Sequence, residues 1–271
     1  MKWNKLLRNG LFFFTVIAFS IFLLVLFYTK SFSENYENKE DDKVVFIIPS
    51  TSRNMNYKDI NSCSLLKILY GSLKNFDTSK YTFLIGTDDD DEFYNNNNNL
   101  DVLKSTLPKN FHFHSLNNFD KSYVCIVNQL ANAAIAEYKA DYIYVFADDL
   151  EVYDLNFIEN DFIPYFKENG DLCLGWGIDE TNLKLCTHPF VSKYHVQRLG
   201  YFYPSAIKNW YCDNWIQYTY EKLDKIVKTK TNVIKNVIGA GEKKRYDISM
   251  VKEEKLNGLV SISVDVLKGN N

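Results

Sequence analysis

No two of the five cysteines stand at a CxxC spacing, and no asparagine begins an Asn-x-Ser/Thr sequon. The first absence argues against a structural zinc site, which draws on thiolates at short spacing. The second removes glycosylation sites as support for a lumenal location. A charge excess is missing too: 31 Lys and Arg face 34 Asp and Glu, the net charge is −3, and the basic residues are dispersed. That distribution offers no basic surface for nucleic acid, so no nucleic-acid partner is expected. Charge is absent altogether from Leu11 to Tyr28, a run of 18 residues.

At about 1.5 Å per residue this run covers roughly 27 Å, enough for a membrane span and closer to the thickness of an endoplasmic-reticulum bilayer than of a plasma membrane. Lys2, Lys5 and Arg8 precede it, while Glu34, Glu37, Glu40, Asp41 and Asp42 follow. The basic side belongs in the cytosol. A cleaved signal peptide is the alternative, but Phe27-Tyr28-Thr29-Lys30 does not form a small-x-small cleavage site. The expected organisation is a cytosolic tail (1–10), a signal anchor (11–28), an acidic stem (29–43) and a main domain (44–271). This is the layout of a single-pass type II membrane protein of the secretory pathway, in the Golgi or endoplasmic reticulum, with its main domain lumenal. The remaining 228 residues are enough for one domain with its own core.

Val44 to Ile48 (VVFII) is a short, β-rich apolar run closed by Pro49, the form of a buried parallel strand. Helical spacing follows over Tyr57–Leu73, then strand-like Tyr81–Ile85, a third candidate strand at Phe111–His114, a helix over Ser122–Tyr138 and a strand at Tyr142–Phe146. This alternation predicts an α/β fold with a mostly parallel central sheet flanked by helices. Asn95–Asn99 has no apolar surface to bury and reads as a loop insertion. Among the cysteines, Cys173 with Cys186 is the first candidate for a bridge, with isolated buried thiols the alternative.

Ligands of such sheets bind at the carboxyl ends of strands. That rule selects Pro49 to Arg53, Asp88 to Glu92, and Asp148 to Glu151. In YIYVFADDLEVYD a buried strand empties into Asp148, Asp149 and Glu151, hard oxygen ligands suited to Mg²⁺ or Mn²⁺. A common Asp-Asp turn is the competing explanation. If the chain stays extended, Asp149 and Glu151 share one side and Asp148 takes the other. The acids at 88–92 are either a solvated loop or a nucleotide contact with Asp88 foremost, and Arg53 is either a surface residue or a phosphate ligand. His188 and His195 lack a carboxylate partner nearby in sequence. Lys243, Lys244, Arg245 and Tyr246 form a basic turn after Gly239 and Gly241.

The stretch VNQLANAAIAEYKADYIYVFADDLEV resembles the segment of GT-A glycosyltransferases, notably the family 2 type, in which a helix leads into the metal-binding DxD strand. VVFIIPSTSRN is similar to their first strand and nucleotide loop, and FLIGTDDDDEF to their second-strand acidic motif. GDLCLGWGIDETN resembles the acceptor-side strand, and FYPSAIKNWYCDNWIQYTY the later loop and helix that carry the catalytic base. The resemblance spans Val44 to Tyr220 and rests mainly on the order of these segments. It implies a nucleotide-diphospho-sugar donor, Mn²⁺ or Mg²⁺ held by Asp148, Asp149 and Glu151, donor contacts from Pro49, Arg53, Asp88 and Asp148, and a glycan, protein or lipid acceptor. Asp213 is the implied base of an inverting displacement, with Asp179 and Glu180 in reserve, and the basic tract of 243–246 stands where some relatives close a loop over the diphosphate. The sequence also departs from the pattern: Ala147 stands where a strict DxD needs an acid, and Asn214 follows Asp213 where a second acid is usual. A helix cap is the plain alternative for Asp213. Two further readings remain open: a catalytically silent GT-A-fold binding module, and another nucleotide-using α/β transferase. A nucleotidyltransferase would normally carry glycine in the loop after its first strand, and PSTSRN has none.

Overall fold

The computed structural model describes residues 42–118, 121–238, 245–246 and 250–269. The expected tail and anchor, and the stem up to Asp41, lie outside the described residues. Among those that are described, no helix is long and apolar enough to cross a membrane.

Among the described residues, eight strands form one sheet: β1 (Val44–Ser50), β2 (Thr82–Asp88), β3 (Phe111–Leu116), β4 (Tyr142–Val145), β5 (Leu150–Val152), β6 (Leu174–Asp179), β7 (Pro189–Ser192) and β8 (Ile226–Asn236). Their order is β3-β2-β1-β4-β7-β6-β8-β5. The pairs β1/β2, β1/β4, β2/β3 and β6/β8 are parallel, whereas β4/β7, β6/β7 and β5/β8 are antiparallel. The sheet is therefore mixed, with the expected parallel pairing dominant and β5 and β7 running against it. The parallel part follows the apolar runs read from the sequence, and β7 inserts in reverse between β4 and β6. Because β1, β2, β3, β4, β6 and β8 all run in one direction, their carboxyl ends share one edge.

The flanking helices are α1 (Asn97–Thr106), α2 (Tyr123–Ala136), α3 (Ile163–Asn169), α4 (Lys193–Leu199), α5 (Cys212–Leu223) and α6 (Glu253–Lys268). The helical spacing expected over Tyr57–Leu73 is divided between a 3₁₀ turn, Ile60–Ser62, and a π-helical stretch, Leu65–Tyr70, that continues as Gly71–Leu73. Strand alternation sends the two faces of the sheet to different cores. Val44, Phe46 and Ile48 of β1 join an aromatic side with Phe83, Tyr144, Phe162 and Phe190. Val45 and Ile47 join the other side, covered by Leu130 of α2, Trp215 and Tyr220 of α5, and Val260 of α6. On β6, Gly175 admits the Phe162 ring, which lies 2.7 Å from where a Cβ would stand, and Gly177 leaves room for the Tyr144 hydroxyl.

The asparagine tract does not form a loop insertion. Asn96 caps α1, its side chain accepting from the Asn98 and Asn99 amides, and Asn95 Nδ2 donates to the Asp88 and Asp89 carbonyls. The bridge proposed for Cys173 and Cys186 does not form: all five cysteines are free, and these two are buried.

Candidate active site

The carboxyl edge gathers most of the residues singled out from the sequence. β4 ends at Val145, and Asp148–Asp149 form a turn before β5 begins. That turn replaces the extended path and brings both carboxylates to one guanidinium. Arg245 pairs with Asp148, and its second terminal nitrogen lies 3.1 Å from Asp149. Ser50 Oγ, at the end of β1, donates to the other Asp148 oxygen at 2.5 Å. Both acids are buried. Burial, and then the adjacent Asp148 charge, push Asp149 up to about 6, against the pull of Arg245. Glu151 is not brought to them: it points outward on β5, between the buried Leu150 and Val152.

Across the β1 and β2 ends, Asp88 accepts from Arg53 at 2.5 Å and from Asn118 Nδ2 at 2.7 Å. Arg53 also donates to the Arg245 carbonyl at 3.3 Å and lies 5.8 Å from the Tyr246 ring centre. Asp91, which the sequence did not single out within its acid run, organises the loop after β1. Its carboxylate accepts from Ser52 N and Ser52 Oγ, both at 2.7 Å, from Thr51 Oγ1 at 3.2 Å and from Tyr94 N at 3.1 Å.

Asp213 lies in the first turn of α5, with Tyr211 at the cap position and no side-chain cap bond. It is therefore not a cap, and it faces a cleft of about 350 Å³ also lined by Pro49, Asp149, His188, Asn209 and Arg245. Desolvation pushes its carboxyl up to about 7, countered in part by the Cys212 thiol 3.6 Å away. A carboxyl poised near neutrality in a cleft is suited to accept a proton.

The reserve acids are committed elsewhere. Asp179 accepts from Thr181 N and Oγ1 at 2.9 and 2.8 Å and from Asn236 N at 3.2 Å, pinning the loop after β6. Glu180 pairs with Lys235 at 3.0 Å on the surface. Burial draws His188 down to about 4, against the nearby Asp179 charge, so its ring is neutral at ordinary pH, and Nδ1 sits 2.8 Å from Thr187 Oγ1. His195 is bonded through both ring nitrogens, to Tyr220 and to the Phe202 carbonyl. Lys243 and Lys244 lie outside the described residues.

Among the described residues, no cluster of three or more His, Cys, Asp or Glu is arranged around a metal position. Two carboxylates are nevertheless a sufficient protein share for Mg²⁺, which takes its other ligands from water and phosphate. Arg245, a cation held between Asp148 and Asp149, marks the place where such a charge fits.

No family model matches the sequence, and no curated protein matches it. Solved structures similar in fold include the catalytic domain of Drosophila β1,4-galactosyltransferase 7 in complex with xylobiose, at 11% identity and a TM-score of 0.49, covering 79% of this chain and 78% of that one. A cytidylyltransferase from Leptospira borgpetersenii serovar Hardjo-bovis aligns at 12% identity and a TM-score of 0.45, over 84% of this chain and 95% of that one. The galactosyltransferase LgtC, in complex with donor and acceptor sugar analogs, aligns at 10% identity and a TM-score of 0.40, over 80% and 95%. Glycosyltransferases and nucleotidyltransferases thus both stand among the neighbours, and likeness at this level transfers no activity.

Proposed function

We propose that the domain is a sugar transferase that moves a glycosyl group from a nucleotide-diphospho-sugar to a hydroxyl acceptor. The observation that carries this reading is one cleft at the carboxyl edge of the sheet lined both by Asp149, whose buried neighbour Asp148 lies behind it, and by a separate carboxyl poised near pH 7, Asp213. Arg53 and Asp88 at the neighbouring strand ends would take the nucleoside. Asp148 and Asp149 would hold Mg²⁺ or Mn²⁺, whose charge offsets that of the leaving diphosphate. Asp213 removes the acceptor's hydroxyl proton as that oxygen bonds to the anomeric carbon and the bond to the diphosphate breaks, which gives inversion. The uncharged run 11–28 and the basic residues before it support a type II anchor with this domain in the lumen of the secretory pathway.

The test is a panel of nucleotide-sugars presented to the full chain, with binding and slow hydrolysis measured with and without Mn²⁺. Metal-dependent binding of one donor, lost in Asp149→Asn, is the expected result; binding of none would remove the transferase reading. Arg245 bridging both acids favours one alternative, a silent binding module in which the acid pair is a structural ion cluster. In that case Asp149→Asn changes stability and nothing else.

A further inference from the structure

Three described tryptophans differ sharply in their surroundings. Trp215 is buried against His195 and Tyr203, and Trp176 is covered by the Lys228 ammonium, 3.6 Å from its ring centre. Trp210 is 40% exposed, lines the cleft that holds Asp213, and among the described residues makes no ring pair and no cation–π contact.

Its support is rigid. The next residue, Tyr211, holds a left-handed backbone at φ 77°, a conformation that is unfavourable for a bulky residue and persists only where its surroundings impose it. Here Trp215 N donates to the Tyr211 carbonyl at 2.9 Å, and Cys212 Sγ donates to the Asn209 carbonyl at 3.0 Å. Asn209 Oδ1 in turn accepts from Tyr123 N at 2.6 Å. The indole is thus presented on a braced turn, three residues before the acid.

A flat apolar plane alone would fit many ligands, but Asn182, Asn214 and Thr187 line the same cleft with amide and hydroxyl groups. A pyranose ring matches that combination: its C–H face lies on an aromatic plane while its rim of hydroxyls takes hydrogen bonds from amides. An acyl chain would exclude water from the Asn182 and Asn214 amides without offering a hydrogen bond beyond those they make to Lys184 N and the Tyr218 hydroxyl. A peptide hydroxyl would leave the indole plane uncovered.

We infer that Trp210 is the stacking platform for the acceptor and that the acceptor is a glycan, its reacting hydroxyl directed toward Asp213. This inference rests on the transferase reading above. Trp210 is a specificity residue and takes no part in proton transfer.

The test uses the full chain and saturation-transfer NMR with methyl β-glucopyranoside, methyl β-galactopyranoside, methyl α-mannopyranoside and their β-linked disaccharides, beside a serine-containing peptide and a short-chain alkyl alcohol. At least one glycoside is expected to bind through its C–H face. Trp210→Ala should weaken that binding about 10-fold or more, and Trp210→Phe should restore most of it. Binding of free nucleoside diphosphates and the melting temperature should stay unchanged in both variants. The inference is overturned if Trp210→Ala binds the glycosides as tightly as the native chain, or if only the peptide or the alcohol binds. If glycosides bind through Trp210 while no nucleotide-sugar binds at all, the transferase reading fails and the acceptor role falls with it, leaving Trp210 as a glycan-binding platform; loss of the Trp210 effect alone overturns only this inference.

Discussion

Replacing Asp213 by Asn tests the site through two independent readouts, because one carboxyl would carry both a pH-dependent contribution to stability and the proton transfer of the proposed reaction. In the unfolded chain this carboxyl loses its proton near 3.8; in the fold, desolvation delays that to about 7. Between those limits the folded state binds more protons than the unfolded one, so the contribution is fully present below about pH 4 and is lost as pH rises to about 7. At about 1.4 kcal/mol per pH unit the loss reaches roughly 4 kcal/mol. Asn keeps the shape and the acceptor oxygen facing Cys212 but does not titrate. The variant should match the native protein in urea unfolding at pH 4 and exceed its stability by up to about 4 kcal/mol at pH 8. Asp149 and His188 also titrate in or near this window, but they are common to both proteins and largely cancel in the difference. Activity should move the other way. Native transfer should rise with pH to a plateau above about 7, as a base must be deprotonated, and Asp213→Asn should lower it by about 10² to 10⁴. A variant with the native stability slope, or with the native transfer rate, refutes the argument.

Arg245→Gln strands two buried carboxylates and should cost roughly 3–5 kcal/mol where both are charged, and less as pH falls and Asp149, released from the pull of Arg245, takes a proton; thermal melts with millimolar Mn²⁺ should recover much of that loss, and no recovery would mean the acid pair does not hold a divalent ion. Asp91→Ala leaves four donors around Thr51, Ser52 and Tyr94 without their acceptor, so a drop of several degrees in melting temperature and weaker nucleotide binding are expected, with Asp91→Asn milder in calorimetry. A C-terminal tag should be protected from protease in intact microsomes while an N-terminal tag is cut, and the reverse pattern would overturn the lumenal placement.

The parts of this fold legible in sequence are those whose cause is local. VVFII and YIYV are apolar on both faces because helices cover both faces of the sheet there, and Ser122 at the start of a periodic stretch does cap α2 by accepting from Cys125 N at 3.2 Å. The site edge follows from the strand-end rule, which locates Asp88, Asp148 and Asp149 without their contacts. The antiparallel entry of β7 has no local signature, since strand order is decided by packing across the chain. Arg245 lies 97 residues from Asp148, and no charge pattern along the sequence joins them. The Asn tract reads as loop from composition, yet an asparagine ahead of Leu100 and Leu103 is also a cap signal, which the homopolymer hides. Glu151 illustrates the limit of extended-chain reasoning: one turn at Asp148–Asp149 was enough to separate it from its neighbours.

The division of aromatic residues between the two sheet faces makes them separately visible in spectroscopy. On one face Phe46 stacks on Phe83 at 4.7 Å, Phe83 on Phe111 at 4.3 Å and Tyr142 on Phe190 at 5.3 Å, with Tyr144 edge-on to Phe190 at 5.6 Å. Among the described residues that core holds no tryptophan, whereas Trp176 and Trp215 both belong to the opposite one. Locked tyrosine and phenylalanine rings give near-ultraviolet circular dichroism, and indoles dominate emission. With Trp3 and Trp210 replaced by Leu, fluorescence would follow the side of Trp176 and Trp215 alone, and the phenylalanine dichroism bands would follow chiefly the other side, which holds Phe46, Phe83, Phe111, Phe146, Phe162 and Phe190. Coincident unfolding curves from the two signals would show the layers melting as one cooperative unit, and a gap between them would reveal which layer lets go first.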